Sequence, residues 1–219
     1  MLGIVFDTST ERGVVAIVNN ETILWEEHLP VGLQTAQSLL PRLHEGLSSL
    51  QMDIKSIAYI ACGIGPGSYT GIRIAATAAK TLAFACDIPL IGICTLDAFI
   101  TETKGSFAAV IDAKIGGVYI QKSGKGENPQ VCTLDEAVKF LNDIETIVTP
   151  NAEKIRPKLE ALSSPNRWNW EENYPSCQQL AKLALKQIKE GKEPTPFELL
   201  YMRKTQAEIE KDNLQRPLA

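Results

Sequence analysis

The sequence predicts an α/β fold whose pattern of elements starts a second time part-way along the chain. Three observations predict it. Short runs of branched apolar residues alternate with helical stretches along the chain, the pattern that builds α/β layers. The pattern restarts after roughly Thr103. The length, 219 residues, admits one large domain or two small ones, with enough buried surface to need no disulfide or metal staple.

Leu2 to Thr8 is a first strand, Val14 to Val18 a second and Thr22 to His28 a third. Turn signals at Glu11-Arg12-Gly13 and Asn19-Asn20 join them into an antiparallel meander. The period then changes. Ala36, Leu39, Leu40, Leu43, Leu47 and Leu50 mark one face of a helix from about Gln34 to Leu50, with Pro41 predicting a kink or a late start. Ile57 to Cys62 reads as a strand, Gly63 to Gly71 as a glycine-rich loop, and Ile72 to Cys86 as an alanine-rich helix. That helix is apolar nearly all round, as buried helices are, with one polar stripe at Arg73, Thr77 and Lys80. Pro89 to Cys94 is a strand, with a helix expected from about Thr95.

In the second part, Phe107 to Asp112 and Gly117 to Lys122 form a hairpin around Lys114-Ile115-Gly116. A polar loop follows from Ser123 to Pro129, then a helix from Leu134 to Leu141 and a strand from Ile144 to Thr149. Asn151 to Ser164 is a weak helix, and Trp168-Asn169-Trp170 an aromatic loop. Ser176 to Glu190 is a helix with Leu180, Leu183, Ala184 and Ile188 on one face. Pro194-Thr195-Pro196 breaks it, and Phe197 to Met202 is a brief apolar run. Arg203 to Pro217 is a charged segment expected to be solvated or a frayed helix. No repeat at a fixed period is visible.

Composition narrows the function. Apolar residues make up 44% and charged residues 22%, with a net charge of −4 and a pI near 5.4. Gripping nucleic acid needs clustered positive charge, so direct binding is disfavoured, while a place in a larger RNA-handling assembly stays open. The five cysteines are scattered with no C-x-x-C pair, as in a reducing compartment. No run approaches the roughly 20 apolar residues of a membrane span, and the first residues lack a basic stretch ahead of Asp7. A cytoplasmic protein is expected.

The glycine-rich loop is the sharpest chemical feature. Between a strand and a helix, its backbone N–H groups can cradle an anion. No Gly-Lys-Ser/Thr follows, and Ser68 stands where a dinucleotide loop needs its third glycine. The plainer alternative is a tight turn that lets the strand feed a closely packed helix. Asp7-Thr8-Ser9-Thr10 ends the first strand, where an Asp can hold magnesium and hydroxyls can contact phosphate, as in actin-like ATPases. Its alternative is an Asx turn. The histidines, His28 and His44, offer no H-E-x-x-H and no zinc set, and Ser68 lacks a nucleophile elbow. Trp168 and Trp170 either stack on a base or place a ring in the core.

Several segments together resemble one family. Ile4 to Thr10 is similar to its opening strand, and Gly65-Pro66-Gly67-Ser68-Tyr69-Thr70-Gly71-Ile72-Arg73 is very close to its signature loop. Asp112-Ala113-Lys114 with Val118-Tyr119 resembles its hairpin, and Tyr201-Met202-Arg203 its Y-L-R. The family is TsaB (YeaZ), which serves the synthesis of threonylcarbamoyladenosine at position 37 of tRNA. The resemblance implies two actin-like (ASKHA, ribonuclease-H-like) lobes, each a mixed sheet flanked by helices, here 1–103 with 197–219 and 104–196. It implies a subunit with no catalytic residues, metal or cofactor of its own, a nucleotide entering only at the partner interface, and Asp7, Thr8 and Ser9 as a vestigial phosphate site.

The implied partners are a TsaD-type catalytic subunit, a TsaE-type ATPase in the same assembly, and a second copy when the chain is alone. The tRNA is met only indirectly. The family pairs through its first two helices, which implies Leu39, Leu40, Leu43 and Leu47 on one and Ile72, Ala75, Ala76 and Ala79 on the other. The chain departs from the family at Gln34 and Gln37, where many relatives have a histidine, and at Lys114 and Gly117, so ligand roles do not transfer there. Two enzyme readings stand beside this one. An actin-like ATPase or phosphotransferase would use Asp7 and the glycine loop, with Asp112 to Gly117 as a partial second phosphate loop. A peptidase would need a metal or nucleophile site that the sequence does not offer.

Overall fold

A computed structural model describes residues 1–30, 34–114, 117–124, 127–164, 166–191 and 197–203. The turn residues Ile115 and Gly116, the breaker Pro194-Thr195-Pro196 and the charged segment from Lys204 onward lie outside them.

The first sheet follows the expected meander. Strands β1 (Leu2–Asp7), β2 (Val14–Asn19) and β3 (Thr22–His28) pair antiparallel. Helix α1 (Gln34–Ser49) leads to β4 (Tyr59–Gly63), which lies parallel to β1, and α2 (Tyr69–Cys86) leads to β5 (Leu90–Ile93), parallel to β4. The strand order is β3-β2-β1-β4-β5. A second sheet contains β6 (Phe107–Asp112), β7 (Gly117–Lys122), β8 (Gln130–Thr133), β9 (Thr146–Thr149) and β10 (Asn169–Glu172), with α3 (Leu134–Phe140) and α4 (Ala152–Glu160) between them. Its order, β10-β9-β6-β7-β8, repeats the first with the same pairing directions. An antiparallel meander followed by two parallel strands is the actin-like, ribonuclease-H-like arrangement, present twice.

Period-two alternation sends successive strand residues to opposite faces. Ile4 and Phe6 of β1 meet Leu39, Leu43 and Leu47 of α1 and Ala75, Ala79 and Ala83 of α2. Val5, between them, faces the other side, with Val14, Ala16 and Ala61. Both faces are covered, which is why these strands read as unbroken apolar runs. What covers the second face is α5 (Cys177–Lys189), through Leu180, Ala181, Ala184 and Leu185. The expected boundary gave residues 104–196 to the second lobe. The structure returns the chain to the first sheet by Cys177, because that apolar face needs a helix. The outer face of the second sheet packs Val110, Ile120 and Ile147 against Leu141, Ile155 and Leu159. Its inner face sets Ile111, Tyr119 and Val148 against Leu96 and Phe99, joining the lobes.

Four local expectations change. The stretch from Thr95 is a four-residue 3-10 turn, Thr95–Ala98. Helix α1 runs through Pro41, which is exposed. Gln130 to Thr133, given no element between the Ser123–Pro129 loop and the helix, form the short edge strand β8. The aromatic loop contains β10, while Trp168 takes the core reading: it is buried with its Nε1–H donating to the Leu141 carbonyl at 3.2 Å. Among the described residues, no helix is long and apolar enough to cross a membrane.

Candidate functional site

The ends of β1 and β4 meet under the glycine loop. Ser68 caps α2 by accepting the Gly71 N–H at 3.2 Å. The loop leans on the end of β1: the Ser68 N–H donates to the Ser9 carbonyl at 2.7 Å, and Thr8 Oγ1 donates to the Gly71 carbonyl at 2.6 Å. Glycine is required at two of these contacts. A Cβ on Gly71 would stand 1.9 Å from the Thr8 carbonyl oxygen, and one on Gly63 1.9 Å from Asp7 Oδ2. The plainer reading of this loop, close packing of strand and helix, is therefore realised.

Asp7 is fully buried. Its Oδ1 accepts the Ser9 N–H at 2.6 Å and its Oδ2 accepts Thr95 Oγ1–H at 2.8 Å. Ser9 Oγ lies 2.9 Å from Thr95 Oγ1, and the Gly65 N–H also reaches that oxygen, at 3.2 Å. Burial pushes the Asp7 carboxyl above its usual value, against the pull of the bonds from Ser9 and Thr95. Asp7 does not line the cavity between the lobes, both its oxygens are engaged by protein, and the Thr8 hydroxyl is spent on a carbonyl. These residues do not fit the magnesium–phosphate role that actin-like ATPases give them. Asp112 of the partial second phosphate loop is similarly engaged: it accepts the Lys114 N–H at 2.9 Å and pairs with Lys158 at 3.2 Å.

That cavity is about 1010 Å³, large enough for a drug-sized molecule. Its walls come from Thr8 to Glu11, Gly67 to Ile72, Ile111 to Lys114, Thr149 to Asn151, and Leu200 to Arg203. On one rim Glu11 accepts Asn151 Nδ2–H at 2.6 Å and pairs with Lys154 at 2.5 Å, bridging the lobes. On the other, Arg73 Nη2 donates to Tyr69 OH at 2.7 Å and Nε to Tyr201 OH at 3.2 Å, with the two tyrosine rings stacked at 4.6 Å. Arg203 Nη1 donates to the carbonyls of Ala113 and Lys114, at 2.8 and 3.1 Å. The signature loop, the Asp112-Ala113-Lys114 hairpin and Tyr201-Met202-Arg203 thus converge on one cavity, with the end of the first strand at its wall.

The expected interface residues fall elsewhere. Leu39, Leu43, Leu47, Ile72, Ala75, Ala76 and Ala79 are all buried in the chain's own core; of the eight, Leu40 alone is exposed, at 46%. Periodicity finds the stripe that faces the sheet. The outer stripe of α2 holds Arg73, Thr77 and Lys80, as expected, and continues to Phe84, which is 91% exposed. Phe84 was legible as the apolar residue that interrupts that polar stripe. Glu11, Asn151 and Lys154 were not singled out, although Asn151 directly before a helix is a cap signal. His28 sits edge-on to Tyr174 and His44 is exposed on α1. Among the described residues, no group of three or more His, Cys, Asp or Glu is placed to hold a metal.

A family model described as "TsaD: tRNA N6-adenosine threonylcarbamoyltransferase" matches residues 33–162, more than half of the chain. The chain belongs to this family. Similar relatives include the tRNA threonylcarbamoyladenosine biosynthesis proteins TsaB of Bacillus subtilis and Escherichia coli. They are 31% and 34% identical over 116 and 130 residues, or 52% and 56% of this chain. The chain spans about half the length of these relatives, 51% and 54%. YeaZ from Pseudomonas aeruginosa has the same fold, with a TM-score of 0.73 and 22% identity over 92% of this chain and 100% of that one. The family match begins beside α1 and ends beyond α4, so it takes in both helices of the outer face and the cavity's far wall.

Proposed function

We propose that this chain acts in threonylcarbamoyladenosine synthesis as a non-catalytic subunit that binds and activates a TsaD-type threonylcarbamoyltransferase. The observation that carries the reading is the state of Asp7, Thr8 and Ser9. In an actin-like enzyme these positions serve phosphate and metal; here they hold the glycine loop to β1 and the Thr95 turn. A fold kept with its phosphate groups turned to internal use suits a supporting subunit. The partner then supplies the chemistry and most tRNA contact, which agrees with the net charge of −4. The chain has no resident cofactor in this reading, and a nucleotide is held only where it meets the partner. A TsaE-type ATPase joins the same cytoplasmic assembly, and the free chain pairs with itself through the face it offers to TsaD.

That face is the outer surface of α1 and α2, carrying Leu40 and Phe84. Exposed large apolar side chains on adjacent helices are the usual anchors of a helical interface. The test is the solution mass of the chain alone and mixed with a TsaD-type protein. A heterodimer is expected, with Leu40→Glu or Phe84→Glu weakening it at least about tenfold while the chain stays folded. Mixtures that keep the masses of the separate proteins would overturn the reading. An actin-like ATPase is the second reading, favoured by the interlobe cavity; tight Mg-ATP binding by the isolated chain would bring it forward.

A further inference from the structure

Residues Phe197 to Arg203 cross from one lobe to the other. Phe197 packs against the first core and lies under Lys80 Nζ, 5.2 Å from the ring centre. The Leu200 N–H donates to the Ile64 carbonyl at 2.9 Å. Tyr201 stacks on Tyr69 and accepts from Arg73. Met202 then packs into the cluster that joins the lobes, and Arg203 holds the carbonyls of Ala113 and Lys114. Lys114 has φ +57°, a left-handed conformation that costs a non-glycine residue, so the turn depends on the bonds around it. Those bonds include the Asp112 side chain on the Lys114 N–H, the Gly117 N–H on the Lys114 carbonyl at 3.2 Å, the Ala113 N–H on the Gly117 carbonyl at 3.0 Å, and Arg203.

We infer that this segment is a strap that couples the outer stripe of α2 to Ala113 and Lys114, just past β6, across the cavity. Two side chains of that stripe, Arg73 and Lys80, are also the strap's anchors on the first lobe. A carboxylate on a docking surface would draw Arg73 away from the neutral Tyr201 hydroxyl, because charge-assisted pairs with Arg are stronger and bidentate. Docking of an acidic surface on α2 thereby loosens Tyr201, shifts Arg203 and relaxes the cavity wall in the other lobe. This regulatory consequence rests on the reading that α2 receives the partner; the mechanical coupling does not.

Amide hydrogen exchange of the full chain tests it at Ala113, Lys114 and Gly117. Arg203→Gln sets the scale, since it removes the contact itself. Arg73→Gln and Tyr201→Ala, both on the far side of the cavity, are expected to speed exchange at these amides by about fivefold or more, with β1 and β4 unchanged to show the fold is intact. Change confined to α2 and residues 199–203 would overturn the coupling. Adding the TsaD-type partner is expected to speed the same amides in the wild type and not in Tyr201→Ala. A partner that binds and leaves them unmoved also overturns the coupling. A partner that does not bind removes the docking reading alone, while the three variants still decide the strap.

Discussion

Asp7 shows how a residue's chemistry is chosen by distant neighbours. The sequence allowed a metal ligand or an Asx turn. The bond from the Ser9 N–H, two residues on, is the Asx turn, and Thr95 from another segment closes the other oxygen. Nothing near Asp7 in the sequence announces Thr95, so the choice was not legible locally. Burial raises the folded carboxyl's pKa above the ordinary 3.8, so the folded state binds a proton more tightly than the unfolded chain. Stability then falls as pH rises through the interval between the two values, and is greatest below it. Asp7→Asn, which cannot titrate, is expected to lose this component, seen as a flatter melting temperature between mildly acidic and neutral pH. Gly71 makes a second case at this scale. Gly71→Ala places its methyl 1.9 Å from the Thr8 carbonyl. The loop or strand must move, and we expect a loss of about 1–3 kcal/mol or more by urea unfolding.

At the level of elements, α1 and α2 were legible in position and almost in length, since a strong 3.6-residue period and an N-cap serine define them. Their roles were not. A helix on a sheet carries its strongest apolar stripe inward, so Leu39, Leu43 and Ala75 read as a contact face and proved to contact their own sheet. The two substitutions on α1 therefore separate cleanly. Leu43→Glu buries an unpaired charge and is expected to cost about 3 kcal/mol or more in stability. Leu40→Glu changes an exposed position and is expected to stay within about 0.5 kcal/mol of wild type. Thermal melts of both variants check this, and equal losses would mean that Leu40 belongs to the core. The edge strands β8 and β10 are polar and largely exposed, so no apolar run marks them, whereas the equally short β5 and β9 are legible; Trp168 beside β10 takes the core position that was one of its two readings.

Across the whole molecule, the duplication of the fold is written in strand order and pairing direction rather than in residues, so no sequence period revealed it. The return of α5 to the first sheet was hidden for a similar reason: an amphipathic helix does not say which lobe it covers. The convergence of the motifs was foreseen only as shared membership in one family, and the cavity explains why they belong together. Glu11, Lys154 and Arg203 bridge the two lobes across that cavity. The central claim is that this chain enables another subunit's catalysis and performs none itself. Its most direct test measures threonylcarbamoyladenosine in an unmodified tRNA, with a TsaD-type enzyme and threonylcarbamoyl-adenylate, in the absence of the chain, with the chain, and with folded Asp7→Asn. The account expects little product from the enzyme alone, restoration by the chain, and equal restoration by Asp7→Asn; full activity of the enzyme alone, or loss of restoration with Asp7→Asn, would contradict it.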